Sequence, residues 1–353
     1  QDTAYVRRAA SETSYTLSVK DAFFTALNLN ETSRANLLEI ARFKVDVGNL
    51  TTALGTAQVT MGMDQIFQVA LGLTSDGRAN LADPTRLGND MRNIKTIATS
   101  LGAGLSDLDV FSIALSLSGD SRANITSDNT ERFKEEFNTL QDLSNQVSAG
   151  FSKTELFSLT LGLNDDTREN LSNTDFSSNF QSLTTANTSL SAGLDASDLF
   201  MMAINLTEDQ KKNLTGPGNT FAADFNAIKT ASTNNNLDLS GRDAFSLALG
   251  LSSDARSNLA NTARLTLDLT SLGLAATATG ITLTDFEKFS AALTLDADSR
   301  ANLSDTARMR QDTAYVRRAA SETGYTLSVK DAFFTALNLN ETSRGNLFEI
   351  ARF

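Results

Sequence analysis

Several residue types that build reactive sites are missing from this chain of 353 residues. It has no cysteine, no histidine, no tryptophan and only two prolines. Without cysteine it can form neither disulfides nor thiolate metal sites. Without histidine it lacks the commonest general base and the commonest transition-metal ligand. No stretch approaches 18 uninterrupted apolar residues, so the sequence predicts no membrane span.

Basic residues are also few and dispersed. The chain has 30 Lys and Arg against 42 Asp and Glu, a net charge of −12 without an acidic tail. Nucleic acid is therefore not an expected partner, because phosphate binding needs a Lys- and Arg-rich face. No Gly-rich phosphate loop, His-based triad or metal cluster can be assembled. We predict that the chain is not an enzyme and that it requires no cofactor.

Acidic pairs are the one candidate for a cation site. Asp165 and Asp166, and Asp296 with Asp298, offer the oxygen ligands that calcium prefers. The twelve-residue EF-hand spacing is absent, and helix capping already accounts for these acids. Calcium stays a minor alternative.

What the chain does contain is a repeat with two periods. Residues 311–353 repeat residues 1–43 with three differences, Ser14 against Gly324, Ala35 against Gly345 and Leu38 against Phe348. A super-repeat of 310 residues has therefore begun its second copy, and we interpret the chain as a window on a longer array. Within it a phenylalanine recurs every 43–46 residues, so seven units fill one super-repeat. The eight marker residues are Phe23, Phe67, Phe111, Phe157, Phe200, Phe245, Phe289 and Phe333.

The spacing divides the chain into units of about 44 residues. We predict that residues 1–14 are the third helix of a preceding unit. The units then follow at 15–58, 59–102, 103–148, 149–191, 192–236, 237–280 and 281–324, with a partial eighth unit at 325–353.

Start and stop signals predict three helices in each unit. A Ser, Thr or Asp N-cap precedes each marker Phe by five residues, with an acid three residues later, and Gly62 is the exception. Five residues after the Phe, a Gly or Asn in six of the eight units predicts a left-handed helix stop. A second N-cap follows, as at Asn30 and Thr74, and opens a short helix with an Arg-x-Asn-Leu motif.

The third helix is predicted to begin at Pro84 and Pro217, because proline is well tolerated at the first helical position. Apolar residues in 4-3-4-3 spacing follow, as at Phe43, Val47, Leu50 and Leu54. No strand pattern competes. The sequence therefore predicts an all-α chain of tandem three-helix repeats, stacked as an α-solenoid or helical filament.

The Arg-x-Asn pair is the most specific polar feature, and two hypotheses fit it. It could bind an anion or a neighbouring strand of an assembly. Alternatively, and preferably, Asn satisfies backbone groups where the second helix ends, while Arg pairs with acids of its own or the next unit. This predicted polar ladder consists of Arg34, Asn36, Arg78, Asn80, Arg122, Asn124, Arg168, Asn170, Lys211, Asn213, Arg256, Asn258, Arg300, Asn302, Arg344 and Asn346.

The aromatic residues fall into two groups. The eight marker phenylalanines have core spacing, which favours packing over a track of ligand pockets. The only tyrosines, Tyr5, Tyr15, Tyr315 and Tyr325, cluster at the junction of the super-repeat. We interpret them as a candidate lateral contact that occurs once per period.

Taken together, these patterns favour a structural protein, a long extracellular or cell-surface filament or stalk that assembles with itself through repeat stacking and lateral contacts. The absence of cysteine and the Ser-, Thr- and Asn-rich composition suit a prokaryotic surface fibre. The alternative is a solenoid that binds a protein partner on its concave face. A filament should expose apolar residues in every unit, whereas a binder should concentrate exposed aromatics in a few units.

Overall fold

The computed structural model describes residues 2–322 and 327–350, and the regular structure of these residues is entirely helical. Within the described residues, no helix is both long and apolar enough to cross a membrane. The prediction of an all-α chain is therefore confirmed for the described residues. The helices also follow one another along the chain in the predicted order of first, second and third helix of a unit.

Each complete unit contributes one helix of each kind, whereas α1 belongs to the preceding unit and the partial eighth unit contributes only a first and a second helix. The first helices are short and carry the marker Phe; they are α2 (Val19–Leu27), α5 (Met63–Gly72), α8 (Asp107–Ser116), α11 (Lys153–Leu161), α14 (Ala196–Ile204), α17 (Gly241–Leu249), α20 (Asp285–Thr294) and α23 (Val329–Leu337). The second helices carry the Arg-x-Asn motif; they are α3 (Glu31–Leu38), α6 (Ser75–Leu81), α9 (Gly119–Asn124), α12 (Asp165–Asn170), α15 (Glu208–Thr215), α18 (Ser253–Ala260), α21 (Ala297–Leu303) and α24 (Glu341–Ile350).

The third helices are longer. They are α1 (Asp2–Glu12), α4 (Ile40–Ala57), α7 (Pro84–Leu101), α10 (Thr130–Gln146), α13 (Asn173–Leu190), α16 (Phe221–Asn234), α19 (Thr262–Thr279) and α22 (Thr306–Glu322). A single 3₁₀ turn, Ser127–Asn129, precedes α10.

The N-caps are local devices and they form as their residue types dictate. At α11 the Ser152 hydroxyl accepts from the Glu155 N–H, and the Glu155 carboxylate accepts from the Ser152 N–H. At α5 Gly62 has no side chain to offer, but its own N–H still donates to the Gln65 side chain at 3.0 Å. Each device satisfies helix-start N–H groups that lack an intrahelical partner.

The left-handed stop lies on a different helix from the predicted one. The residues after the first helices, such as Asn28, Gly162 and Gly250, have negative φ, so that prediction is wrong. Positive φ occurs instead after the third helices, at Ser14, Gln58, Gly102, Ser148, Ser191, Asn236 and Gly280. Each of these is the last residue of its predicted unit. The next residue completes the stop, as where Ala103 N–H bonds to Ala98 O at 2.9 Å.

Pro217 also departs from its predicted place. Pro84 begins α7, whereas α16 does not begin until Phe221. A turn closed by the Asn219 N–H and the Gly216 carbonyl, 3.0 Å apart, takes up the intervening residues. Gly218 adopts a φ of +70° there, which an L-residue rarely occupies. The prediction that the third helix of this unit begins at Pro217 is therefore wrong.

The chain forms two compact bodies, Gln1–Leu171 with α1–α12 and Ser172–Phe353 with α13–α24. In the first body, α4 packs against α5 and α7, the first and third helices of the next unit. In the second body, α19 packs in the same way against α20 and α22. Apolar residues on the third helix thus face the neighbouring unit along the chain.

The marker phenylalanines lie at these contacts. Phe67 meets Phe43 with ring centroids 5.2 Å apart, and Phe245 meets Phe221 at 4.8 Å. Each partner stands at the start of the preceding third helix, at the same offset from its marker. Phe67 and the six markers that follow it have no exposed surface.

Phe23 is the exception among the markers. It is 49% exposed, so the prediction that it is a core residue is wrong in this structure. The physical reason is the lack of a packing partner, since the position that would match Phe43 falls before Gln1.

Candidate functional site

The polar ladder residues form one contact that recurs between neighbouring units. It joins the Arg of one unit to the Asn and to a third-helix acid of the preceding unit, and we call it the Arg–Asn–acid contact. In the clearest case, Arg344 Nε lies 2.9 Å from Asp312 Oδ2, and Arg344 Nη2 lies 2.6 Å from Asn302 Oδ1. Arg344 and Asp312 are both buried.

The same geometry recurs in both bodies. The Nε–carboxylate distances lie between 2.7 and 2.9 Å, and each acid stands 32 residues before its Arg. The complete contacts are Arg78 with Asp46 and Asn36, Arg122 with Asp90 and Asn80, Arg168 with Glu136 and Asn124, Arg256 with Asp224 and Asn213, Arg300 with Asp268 and Asn258, and Arg344 with Asp312 and Asn302.

The Asn amide closes the contact from the other side. Asn302 Nδ2 donates to the carbonyls of Leu337 and Leu339, at 2.9 and 2.8 Å. Asn36 does the same with Leu71 and Leu73, and so do Asn80, Asn124, Asn213 and Asn258 with their counterparts. These carbonyls stand at the end of the next unit's first helix, where intrahelical donors run out.

The Asn differs from the preferred hypothesis, because it satisfies the end of the first helix in the next unit and not the end of its own second helix. Each Arg of a complete contact pairs through Nε with an acid of the preceding unit, which the hypothesis did not include. The predicted pairing within the same unit also occurs, between Arg168 and Asp165 and between Arg344 and Glu341. The Asn donor also explains why the first helices need no left-handed stop.

One position departs from the pattern. Lys211 replaces Arg, and its Nζ lies 2.7 Å from Glu208 in its own helix. At the place of the acid stands Asn179, and its buried Nδ2 has no hydrogen-bond partner among the described residues. The two substitutions match, because an uncharged residue replaces the acid where the guanidinium is lost.

At the first and last units the contact is incomplete. Arg34 donates from Nε to Asp2 at 3.0 Å, and no Asn side chain among the described residues accepts from it. Asn346 is exposed, and its side chain makes no hydrogen bond in the described part of the chain, whereas Asn302 and Asn170 are buried.

The acids of the contact were not foreseen from the sequence, although a signal was present. Asp46, Asp90, Asp268 and Asp312 are buried polar residues within the apolar face of a third helix. An acid precedes every ladder Arg by the same 32 residues. The single Lys is the one ladder position without such an acid. A search at that fixed offset would have found them.

The structure describes three of the four tyrosines. The Tyr15 ring lies 5.4 Å from Phe67, towards the core, and burial is the main cause that raises its pKa. Tyr5 is half-buried, and Tyr315 accepts a hydrogen bond from Gln311 at 3.1 Å. Tyr325 lies outside the described residues. Tyr15 therefore contributes to packing, and its inward position gives no support to a lateral role.

The grooves of the surface repeat with the units. One of about 400 Å³ lies between the start of α6 and the end of α8, and another of about 510 Å³ lies between α15 and α17 at the equivalent place. The described residues contain no group of three acidic side chains placed to hold a metal ion. Asp296 caps α21 instead, and hydrogen bonds from Ser299 lower its pKa.

Comparison with protein-family models, with curated proteins and with solved structures finds no match for this chain. What it does must accordingly be inferred from its own contacts.

Proposed function

We propose that this chain is a structural protein whose units stack in a row to build a filament or stalk outside the cell or on its surface. The observation that carries the proposal is the Arg–Asn–acid contact. Within each body it ties three pairs of neighbouring units with the same three groups, and the acid always stands 32 residues before its Arg.

The chemistry of the contact supports joining rather than ligand binding. In the six complete contacts, both groups of each Asn, together with Nε and Nη2 of each Arg, are already engaged within the chain. The acid and the amide are mostly buried, and hydrogen bonds to charged groups are stronger than neutral ones. Since the six complete contacts use these residues in the same way, none of the six stands apart as a singular binding or catalytic site.

Exposed apolar residues shape the proposal further. Large apolar side chains are exposed among the described residues of units 1, 3, 6 and 7, but not of every unit. This distribution gives little support to lateral assembly along the whole filament. The exposed aromatics of the described residues are Phe23 and Phe24 on α2 and Phe286 on α20. Helix α23 has the same sequence as α2, and there Phe333, the counterpart of Phe23, is buried. We therefore favour stacking over a concave site for another protein.

Deletion of one whole unit tests the stacking. Removal of residues 59–102 keeps the offsets between units, so Arg122 can pair with Asp46 and Asn36. We expect a folded protein of unchanged helix content per residue. Its longest dimension in small-angle X-ray scattering should fall by roughly 10 Å, the spacing of packed helices.

The matched control is removal of residues 59–80, half of the same unit, which destroys the offsets and should abolish folding of the first body. A whole-unit deletion that unfolds the protein, or leaves its longest dimension unchanged, would overturn the stacking model. Surface location is tested separately by immunogold microscopy of producing cells, where label confined to the cytoplasm would contradict it.

A further inference from the structure

Two joints between neighbouring units of the second body can be compared directly. We call the contact of α13 with α14, α15 and α16 the α13 joint, and the contact of α19 with α20, α21 and α22 the α19 joint. Each brings the third helix of one unit against the three helices of the next unit, and each has further units before and after it in the sequence.

The polar contact is complete in the α19 joint, where Arg300 Nε lies 2.9 Å from Asp268. In the α13 joint, Lys211 and Asn179 stand at the positions of this Arg and this acid. Lys211 pairs instead with Glu208 of its own helix. Asn179 is only 8% exposed, and its Nδ2 has no hydrogen-bond partner among the described residues. The α13 joint therefore lacks the ion pair between units, and it holds a buried donor whose lost hydration is not replaced.

The packing of the α13 joint is also more open. A groove of about 380 Å³ lies between α13 and α16, with Ser189 and Ala222 among its lining residues. In the first body the corresponding residues are Thr56 on α4 and Gly88 on α7. There the two helices meet, since a Cβ added to Gly88 would lie 2.5 Å from the Thr56 Cβ. Helices α13 and α16 thus leave a space at a place where α4 and α7 are in direct contact.

The late start of α16 accounts for part of this space. Helix α16 has 14 residues, whereas α22, its counterpart in the α19 joint, has 17. The residues before Phe221 form the turn closed by Gly216 and Asn219, and Asn219 lines the groove. A shorter helix has fewer residues to bury against its neighbour, and apolar burial is the main stabilising contribution to packing.

The short helices of unit 5 depend on this joint. Helices α14 and α15 have nine and eight residues, which is too few for a stable helix without packing. In a row of stacked units, each unit is stabilised by its neighbours, so the free energy of opening can differ from one joint to the next. Loss of the α13 joint should therefore unfold α14 and α15 while the α19 joint stays closed.

We propose that the α13 joint is a built-in opening point of the second body, the joint that separates before the α19 joint does. The departures at Asn179, at Lys211 and at the start of α16 all weaken the same contact, so that opening occurs at a fixed place in the chain. The proposal rests on the stacking of units in the proposed function, but not on the location of the protein in or outside the cell.

Hydrogen exchange of the native full chain, followed by mass spectrometry, tests the order of opening. After correction for intrinsic rates, we expect the amides of α14 and α15 to exchange at least roughly tenfold faster than those of α20 and α21. Equal protection of the two pairs of helices, or greater protection of α14 and α15, would overturn the proposal.

Two double variants connect the order of opening to the side chains. Asn179→Asp with Lys211→Arg should slow the exchange of α14 and α15 at least roughly tenfold and leave α20 and α21 unchanged. Asp268→Asn with Arg300→Lys is the matched control and should accelerate the exchange of α20 and α21 instead. If the first variant left the exchange of α14 and α15 as fast as before, the residues at 179 and 211 would not determine where the body opens.

Limited digestion by a lysine-specific protease gives a second readout, because cleavage within a helix requires local unfolding. Lys212 lies on α15 and Lys288 on α20. We expect cleavage after Lys212 to precede cleavage after Lys288, and to become at least roughly tenfold slower in Asn179→Asp with Lys211→Arg, which retains Lys212. Cleavage after Lys288 first would contradict the proposed opening point.

This proposal and the proposed function fail in different ways. If α14 and α15 are as protected as α20 and α21 while deletion of residues 59–102 still shortens a folded particle, only the opening point is wrong. If that deletion unfolds the protein, stacking itself is wrong, whatever the order of exchange.

Discussion

Each Asn of the six complete Arg–Asn–acid contacts donates to carbonyls at the end of the next unit's first helix and accepts from the Arg of that unit. Asn302→Ala would leave the Leu337 and Leu339 carbonyls and one edge of Arg344 unsatisfied in a buried place. We expect a loss of about 3 kcal/mol in the local stability of α23, since each unsatisfied buried group costs about 1–3 kcal/mol. Amide hydrogen exchange of α23 should then be roughly 100-fold faster.

Asn346→Ala is the internal control for that measurement. The residue is equivalent in sequence but exposed and without a hydrogen bond in the described residues, so the change should stay within about 0.5 kcal/mol at concentrations where the chain is monomeric. Equal effects at the two positions would show that the amide does not act through the carbonyls of the next unit.

The pair Asn179 and Lys211, which stands where the other units have an acid and an Arg, allows the opposite experiment. The double change Asn179→Asp with Lys211→Arg restores the residue types of the other units. We expect it to stabilise the second body, with a coupling energy of about 1–2 kcal/mol between the two substitutions, because each change alone leaves a group without its partner. A double-mutant cycle by urea unfolding measures the coupling, and strictly additive effects would contradict it.

The reverse cycle at an intact contact serves as the control. The double change Asp268→Asn with Arg300→Lys should convert this contact into the form with Asn and Lys that stands at positions 179 and 211. The two single substitutions should together lower the free energy of unfolding by more than the double substitution does. The comparison separates the chemistry of the contact from the general tolerance of the third helices to substitution.

Helix starts and helix stops differ in how far they can be predicted. A start is local, because Ser152 and Glu155 satisfy each other across three residues. The stop of a first helix is not local, since its carbonyls bond to an Asn that stands 35 to 39 residues earlier. Third-helix stops use Ser, Gln, Asn and Gly in turn, so no single residue type announces them.

Two glycines distinguish the observed position of the left-handed helix stop from the predicted position. Gly102 ends α7 with a φ of +59°, whereas Gly162 follows α11 with a φ of −86°. Gly102→Ala should therefore cost about 1–2 kcal/mol, the penalty of a left-handed L-residue. Gly162→Ala should be neutral or slightly stabilising, since its added Cβ meets nothing closer than 3.6 Å.

Thermal unfolding monitored by circular dichroism compares the two variants under identical conditions. If Gly162→Ala were the more damaging change, the stop would lie after the first helix, as the sequence had indicated. The pair thus tests the geometry of the helix ends without changing a side chain of the Arg–Asn–acid contact.

For the molecule as a whole, periodicity predicts the number and order of the helices, but it cannot predict which faces are covered. Phe23 and Phe333 have the same neighbours in sequence and opposite exposures. Burial at these positions depends on whether another unit lies alongside, and that is a property of the array. The pairing of each Arg with an acid of the preceding third helix is likewise fixed by packing between units.

We expect the stability of the protein to fall in acid, because carboxylates accept hydrogen bonds at several helix starts and in the contacts between units. Lys330 of the last unit lies 2.8 Å from Glu287, and this bond, with the Thr284 N–H, holds the pKa of Glu287 below its ordinary 4.5. A carboxyl whose pKa is lower in the folded state than in the unfolded state stabilises the protein fully at a pH above the unfolded-state pKa. This stabilisation is lost as the pH falls through the folded-state pKa.

We therefore expect the thermal midpoint to be flat from pH 7 to about 5 and to fall below about pH 4.5. Glu287→Gln should lower the midpoint at pH 7, and its difference from the parent should shrink as the pH falls, because the parent then also loses the charge. Glu135→Gln, at an exposed acid of α10 without an ion pair, should show no such convergence. A difference for Glu287→Gln that stays constant down to pH 3 would mean that this carboxylate does not help to hold α20 and α23 together.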